Sequence, residues 1–409
     1  MIRVVLPVAM AAPWAQADET ELASAQALLD IERYQRAVQD LEFNGGAWDQ
    51  SLSEELLGYG AVLQQQGEHE QAVQIFDRAA HLARVNFGLD ALEQIPALRG
   101  RITSHLAMGE WEEADRQQQY AYYVHTRAMD RSNPELPDAL VEYARWSMTS
   151  YFRGLGEFPH VRLVDAFRLY GAAHALAVEH HRSDPDLQMT YLNDMAGTAY
   201  LVARTNAVQV ANAQPNARGF NEFAAVDASM LDAYRYRSSG FNQGEAALIK
   251  AIELQAGLTG DLYSTEKHAE ALAKLGDWYL LFERRQAAMR LYTEAWQLLE
   301  AESPEQAQTF FATVQLLPQF SSFSEQRRAA AARGRMAPAS ERGYVDLAFD
   351  VSQYGRLGNI EVMQIDPPDE EPRIHRLLRD LRQSVVRPRF ENGEPVDVAG
   401  VTMRMPYRY

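Results

Sequence analysis

Metal-ligating side chains crowd together in one place, His174, Glu179, His180, His181 and Asp184, and His180 stands one helical turn before Asp184 on what can be a shared face. Histidine and aspartate beside a loop ordinarily need no ligand, so no metal or other cofactor is assigned to them. The carboxylate pairs Glu112-Glu113 and Glu370-Glu371 are adjacent in sequence and point in different directions, which suits solvated faces better than acid–base work. With no cysteine there is no thiol nucleophile and no zinc cage, and neither a Gly-x-Ser-x-Gly elbow nor a phosphate-cradling glycine loop is present. The pattern points away from an enzyme. What remains chemically distinctive is aromatic: Tyr120-Tyr122-Tyr123, Trp146-Tyr151-Phe152 and Tyr234-Tyr236 suit either a peptide groove or the packing of helices against one another.

The elements that would carry these residues are mostly helices. The 409-residue chain is long enough for two or three domains, and 56 acidic residues against 39 basic ones exclude a nucleic-acid backbone as partner. The charge is uneven: from residue 327 onward 14 arginines face 12 acidic residues, whereas the preceding body has 25 basic and 44 acidic residues. An acidic body of this kind serves solubility. Met1-Ile2-Arg3, an apolar run from Val4 to Trp14 and Ala15-Gln16-Ala17 have the parts of a secretory signal peptide, placed at residues 1–17, with the exported chain expected to start at Asp18. That run is shorter than the roughly 20 residues a bilayer requires, and no later segment reads as a transmembrane span.

Between Asp18 and about residue 325 the chain is rich in Ala, Leu, Gln and Glu and repeats itself. One unit carries Leu56, Tyr59, Gly60, Leu63, Gly67, Ala72, Phe76 and Ala79, and another Leu272, Leu275, Gly276, Tyr279, Ala288, Tyr292 and Ala295. Both resemble tetratricopeptide repeats. The glycine on the first helix lets the second approach at Ala72 or Ala288, and Phe76 and Tyr292 are expected to fill the space between neighbouring repeats. Gly109 and Ala114 stand 42 residues after Gly67 and Ala72, so the period is longer than the family's, and five or six helix pairs are expected. Loop signals at Ser132-Asn133-Pro134, Ser183-Asp184-Pro185, Gln214-Pro215-Asn216, Ser238-Ser239-Gly240 and Leu258-Thr259-Gly260 are expected to mark the breaks. The resemblance implies that the first helix of each pair faces a protein or peptide ligand, through Glu54, Leu57, Ala61, Gln64 and Gln65 in one repeat and Glu270, Ala273 and Asp277 in another.

The last seventy or so residues change character. Tyr344 to Val351 alternates polar and apolar at the period of a half-buried strand, a turn at Gly355 leads to a second strand-like run from Ile360 to Ile365, and Ile374, Leu377, Leu378 and Leu381 recur at helical spacing. Asn392-Gly393 suits a tight hairpin, and Val401, Met403, Met405 and Tyr407 alternate again. With Gly343, Val345, Phe349, Val351, Gly355, Val362, Pro388, Phe390, Gly393 and Pro395 in this order, the segment resembles the carboxy-terminal domain of TonB-type energy transducers of Gram-negative bacteria. The resemblance implies an exposed edge strand, residues 398–407, that pairs with an extended segment of an outer-membrane receptor or other envelope protein, with Val398, Val401, Met403 and Met405 on it.

The sequence therefore predicts a mainly α protein, a tetratricopeptide-like helical solenoid over residues 18–325 followed by a small α+β TonB C-terminal-like domain over 326–409. The expected role is that of a periplasmic, non-enzymatic scaffold whose repeats recruit one protein while the module pairs with a strand of another, with a link to TonB-dependent transport. The alternative is that the module only caps the solenoid, since a terminal repeat needs its outer face covered.

Overall fold

A computed structural model of the chain describes residues 13–204, 236–318, 320, 342–367, 371–382 and 384–408. Residues 1–12 of the expected leader, Tyr234, the loop signal at 214–216 and the arginines at 327–335 lie outside these. The described chain divides into two compact units, Met1–Asp130 and Arg131–Tyr409.

The first unit is helical: α1 (Pro13–Gly45), α2 (Leu52–Gln66), α3 (His69–Phe87), α4 (Ile95–Met108) and α5 (Trp111–Ala128), each packed on the next. Its logic is visible at α2–α3. Gly67 adopts a left-handed conformation (φ 82°), donates to Gln64 O and lets Glu68 N reach Leu63 O, which ends α2 and satisfies its last carbonyls. The chain re-enters a helix at once, and Leu52, Leu56, Leu63, Ala72, Phe76 and Ala79 close one core. Phe76 sits between two glycines: a Cβ at Gly60 on its own partner helix or at Gly100 on α4 would come within 2.6 and 2.5 Å of the ring. The aromatic thus fills the inter-repeat space, as the repeat pattern predicts.

The second unit continues the plan with α6 (Leu136–Arg153), α7 (Val161–His180), α8 (Pro185–Arg204), α9 (Tyr236–Ala256), α10 (Thr265–Leu281), α11 (Arg285–Glu302) and the short α12 (Pro304–Phe311). Ser238-Ser239-Gly240, expected to be a break, lies inside α9, where Gly240 serves close approach to α8: a Cβ there would be 2.7 Å from Ala203 N. Among the described residues the two units contain five helix pairs, α2–α3, α4–α5, α6–α7, α8–α9 and α10–α11. The α10–α11 turn copies that of α2–α3, with Glu283 N on Leu280 O and Arg284 N on Tyr279 O, but the residue at the left-handed position is Glu283 (φ 64°) instead of glycine. Trp278, Phe241, Leu275 and Phe167 form the core between α7, α9 and α10.

Among the described residues, seven short or medium strands and one helix complete this unit: β1 (Gln315–Leu317), β2 (Arg342–Val351), β3 (Leu357–Asp366), α13 (Glu371–Arg382), β4 (Val385–Arg387), β5 (Arg389–Glu391), β6 (Glu394–Val396) and β7 (Val398–Arg408). The main sheet is antiparallel in the order β3-β2-β7. On its covered face Val345, Leu347, Phe349 and Val351 of the central strand meet Leu381 and the partly buried Leu377 and Leu378 of α13. The alternation over Tyr344–Val351 and the spacing of Leu377, Leu378 and Leu381 read in the sequence form this core; the side chain of Ile374 lies outside the described residues. Asn392 and Gly393, both at positive φ (51° and 83°), make the β5–β6 hairpin turn.

One expectation about boundaries needs correction. The segment beyond residue 326 is not self-contained, because β1, inside the stretch read as helical body, pairs antiparallel with β4 from Gln315↔Arg387 to Leu317↔Val385. A buried β4 needs partners for its amides and carbonyls, and β1 supplies them on one side. The fold is mainly α, a tetratricopeptide-like helical-repeat chain followed by a small α+β module.

Candidate interaction site

Asp277 is a carboxylate in the apolar run Leu275-Gly276-Asp277-Trp278 of α10, and it is only 7% exposed. A charge in that position needs a partner. Arg387 of β4, 5% exposed, provides it: Nε donates to Oδ1 at 2.8 Å and Nη2 to Oδ2 at 2.5 Å, a bidentate fork. Tyr292 of α11 donates its hydroxyl to Asp277 Oδ1 at 2.8 Å. Burial disfavours the charged guanidinium, but the neighbouring Asp277 more than offsets this and holds the Arg387 pKa above its ordinary value. Burial first, and then the charge of Asp277, push the Tyr292 phenol well above 10.

Three residues on, Phe390 is fully buried among Tyr292, Trp296 and Phe311, with ring centroids 5.9, 6.4 and 5.0 Å away. Gly355, at φ +72°, brings the β2–β3 turn against the same place: Val386 N donates to Gly355 O, and a Cβ there would lie 2.1 Å from Val386 O and 3.0 Å from Leu280 of α10. Tyr292 also fills the space over Gly276, 2.6 Å from where its Cβ would be, as Phe76 does over Gly60. Where Phe76 meets Gly100 of the following repeat, Tyr292 meets Phe311 and Phe390. The module stands where another helix pair would stack.

A second candidate surface of the module is the strand β7. Among the described residues it pairs only with β2, in eight consecutive pairs from Arg342↔Arg408 to Phe349↔Val401, and it forms the edge of the sheet. Val401, Met403 and Met405 turn partly buried toward the core, and Val398 is half-buried. Thr402, Arg404 and Pro406 are exposed. Arg404 forks onto Asp346 of β2 at 2.7 Å through both nitrogens and lies 3.9 Å over the Tyr344 ring. That hydrogen-bonded pairing lowers the Asp346 pKa. The other edge, β3, is interrupted by two register shifts against β2.

The remaining residues singled out in the sequence are scattered. Glu54, Ala61 and Gln65 are exposed on α2, but Leu57 packs partly into the α1–α3 core, and Gln64 donates to Gly100 O (2.7 Å) and Ser104 Oγ (2.8 Å), clipping α2 to α4. Glu270 is exposed and paired with Lys274 at 2.9 Å. Ala273 is buried, and Asp277 is taken by Arg387 of the same chain. His180 and His181 hold backbone carbonyls, with Nε2 2.6 Å from Arg131 O and 2.9 Å from Pro134 O, and so fasten the loop ahead of α6. Among the described residues no group of three His, Asp or Glu is placed to hold a metal ion, and no helix is long and apolar enough to cross a membrane. Sequence reading used Phe390 only as a motif residue and passed over Arg387. The available signal was complementary: a carboxylate in an apolar helix stretch and an arginine following Val385-Val386.

No protein-family model matches the chain, and no curated protein matches it. Solved structures do align with it. BtubC (BKLC) from P. vanneervenii matches at 11% identity and a TM-score of 0.37, over 68% of this chain and 90% of that one. Nearly identical TPR-like repeats assigned to a kinesin light chain of Podosopora anserina match at 12% identity and a TM-score of 0.38, over 61% and 95%. Similarity at this level carries no argument about partners. The repeat packing itself, an aromatic wedged over glycine in both the α2–α3 and the α10–α11 pair, defines the class as a tetratricopeptide-like helical-repeat protein.

Proposed function

We propose that this chain is a non-enzymatic interaction scaffold of the Gram-negative envelope, in which helical repeats and a TonB-like module each engage a protein. The observation that carries the reading is β7, a long strand paired on one side only among the described residues, apolar toward the core and polar outward. Such an edge recruits another strand through main-chain hydrogen bonds. The strand, strand, helix, strand order and the Pro388, Phe390, Gly393 and Pro395 positions support the TonB likeness, and the residue 1–17 pattern supports export to the periplasm. A receptor or other envelope protein with an exposed extended segment is then the partner, and a link to TonB-dependent transport follows from that. A photocrosslinker at Thr402 in intact cells tests the reading: it is expected to capture an envelope protein through an extended segment, and labelling no stronger than at exposed Glu361 on the sheet's other edge strand counts against it.

The second reading, a cap, is favoured by Arg387 and Phe390 occupying the place of the next repeat. The two are compatible, since docking uses β4 and β5 whereas recruitment uses β7.

A further inference from the structure

The end face of the last helix pair does more than accept a cover. It reads a short extended segment in the way a peptide receptor does. Main-chain pairing with β1 fixes residues 385–387, the Asp277 carboxylate with the Tyr292 hydroxyl selects a planar guanidinium, and Tyr292, Trp296 and Phe311 wall an aromatic pocket three residues further along. Between the two anchors Pro388 is buried and has no donor to leave unpaired, while Arg389 is turned to Glu391 and is not read. A ladder for the backbone plus two fully desolvated side-chain anchors is the grammar of strand-addition recognition.

We propose that this face, built from α10, α11, α12 and β1, is a binding site for extended segments of the pattern arginine-x-x-aromatic, and that residues 385–391 are its tethered resident ligand. The site differs from the helix faces that repeat proteins ordinarily offer, because it is the surface on which a following repeat would stack. The partner it takes in trans is a protein whose exposed strand carries that pattern. Tethering keeps the resident segment at high effective concentration, so an incoming segment binds weakly to the natural chain and strongly once the resident is withdrawn. Lysine is a poor substitute for the arginine, since the fork onto Asp277 requires two parallel donors.

The inference rests on reading the chain as an interaction scaffold but not on the β7 edge, so crosslinking at Thr402 can fail while this site stands, and the reverse. The test uses the full chain carrying Arg387→Ala and Phe390→Ala, which empties both side-chain anchor positions and leaves the residues that wall them, titrated with a fluorescent peptide of residues 384–392. Binding at least tenfold tighter than to the natural chain is expected, with at least a tenfold loss when Asp277→Asn is added and a similar loss when the peptide's arginine is changed to lysine. Equal binding to natural and emptied chains, or indifference to Asp277→Asn, would overturn it. Should the emptied chain fail to fold, the natural chain with a millimolar excess of unlabelled peptide serves in its place. Faster deuterium exchange across residues 385–391 then supports displacement, and unchanged exchange sinks the proposal.

Discussion

Asp277, Arg387 and Tyr292 form a network in which each member is costly without the others. Asp277→Asn strands a buried guanidinium, and breaking such a pair costs about 3–5 kcal/mol, so chemical unfolding of the full chain should show a loss of that size. Phe390→Ala empties an aromatic pocket and should cost about the same, roughly 3–5 kcal/mol. The phenol gives a pH signature. Below the ordinary tyrosine pKa of 10 Tyr292 is protonated in both folded and unfolded chains, and its contribution is intact; above it the unfolded chain ionises while the buried phenol resists. Stability should therefore fall as pH climbs from 10 toward the raised folded value, and Tyr292→Phe should flatten part of that fall. Tyr279, pushed up to about 12 by burial and by its hydrogen bond to Glu245, and Tyr191 and Tyr200, both raised chiefly by burial, keep the remainder. Glu283 offers the opposite sign. It occupies the left-handed position that Gly67 occupies in the equivalent turn, a conformation costing a non-glycine residue about 1 kcal/mol or more, so Glu283→Gly is expected to raise the melting temperature. The Asp277–Arg387 pair is not periodic, so patterns of apolar spacing could not announce it; an aspartate in an apolar helix stretch and an arginine after Val385-Val386 were its only traces.

Helices and strands were far more legible, because their signals are repeated along the element. The glycine, alanine and aromatic positions of α2–α3 and α10–α11 specify their packing through close approach, and alternation over Tyr344–Val351 specifies the buried face of β2. What stayed hidden was pairing between distant short segments: β1 is three residues long, and its register with β4 depends on where α10 places Asp277 rather than on any pattern in Gln315–Leu317. The same dependence explains Gly355, whose missing Cβ lets the β2–β3 turn lie against Val386 and Leu280. Gly355→Ala should weaken the docking of the module, and exchange across β4 should speed up in that variant while β2 exchange changes less. At the edge, Pro406 cannot donate, so the alternation of an antiparallel ladder assigns it, and with it Arg404 and Thr402, backbone groups that face away from β2. Thr402→Pro is then expected to remove a recruiting donor while changing stability by less than about 1 kcal/mol, a usual bound for exposed positions. A larger loss would show that Thr402 bonds to β2.

The later helices and the module behave as one body because the surface between them is a continuous core, with Phe390 belonging to the same cluster as Tyr292, Trp296, Phe311 and Leu317. The first unit has its own core around Phe76, and the chain divides at Asp130. A linear reading that separates helical body from strand-rich tail does not reveal this shared core. Covalent continuity between α12 and β2 should be dispensable once folding is complete. If a specific protease site is engineered into residues 321–341 and cut, the two fragments are expected to co-elute on gel filtration at micromolar concentration. Their association depends on the ion pair and on the aromatic plug together, so Arg387→Ala with Phe390→Ala should release the module after the same cut, whereas Arg404→Ala, whose exposed pair with Asp346 lies within the module, should not. Release from the unsubstituted chain would mean that burial of Phe390 and Arg387 does not outweigh the entropy of association, and the module would then be an independent domain.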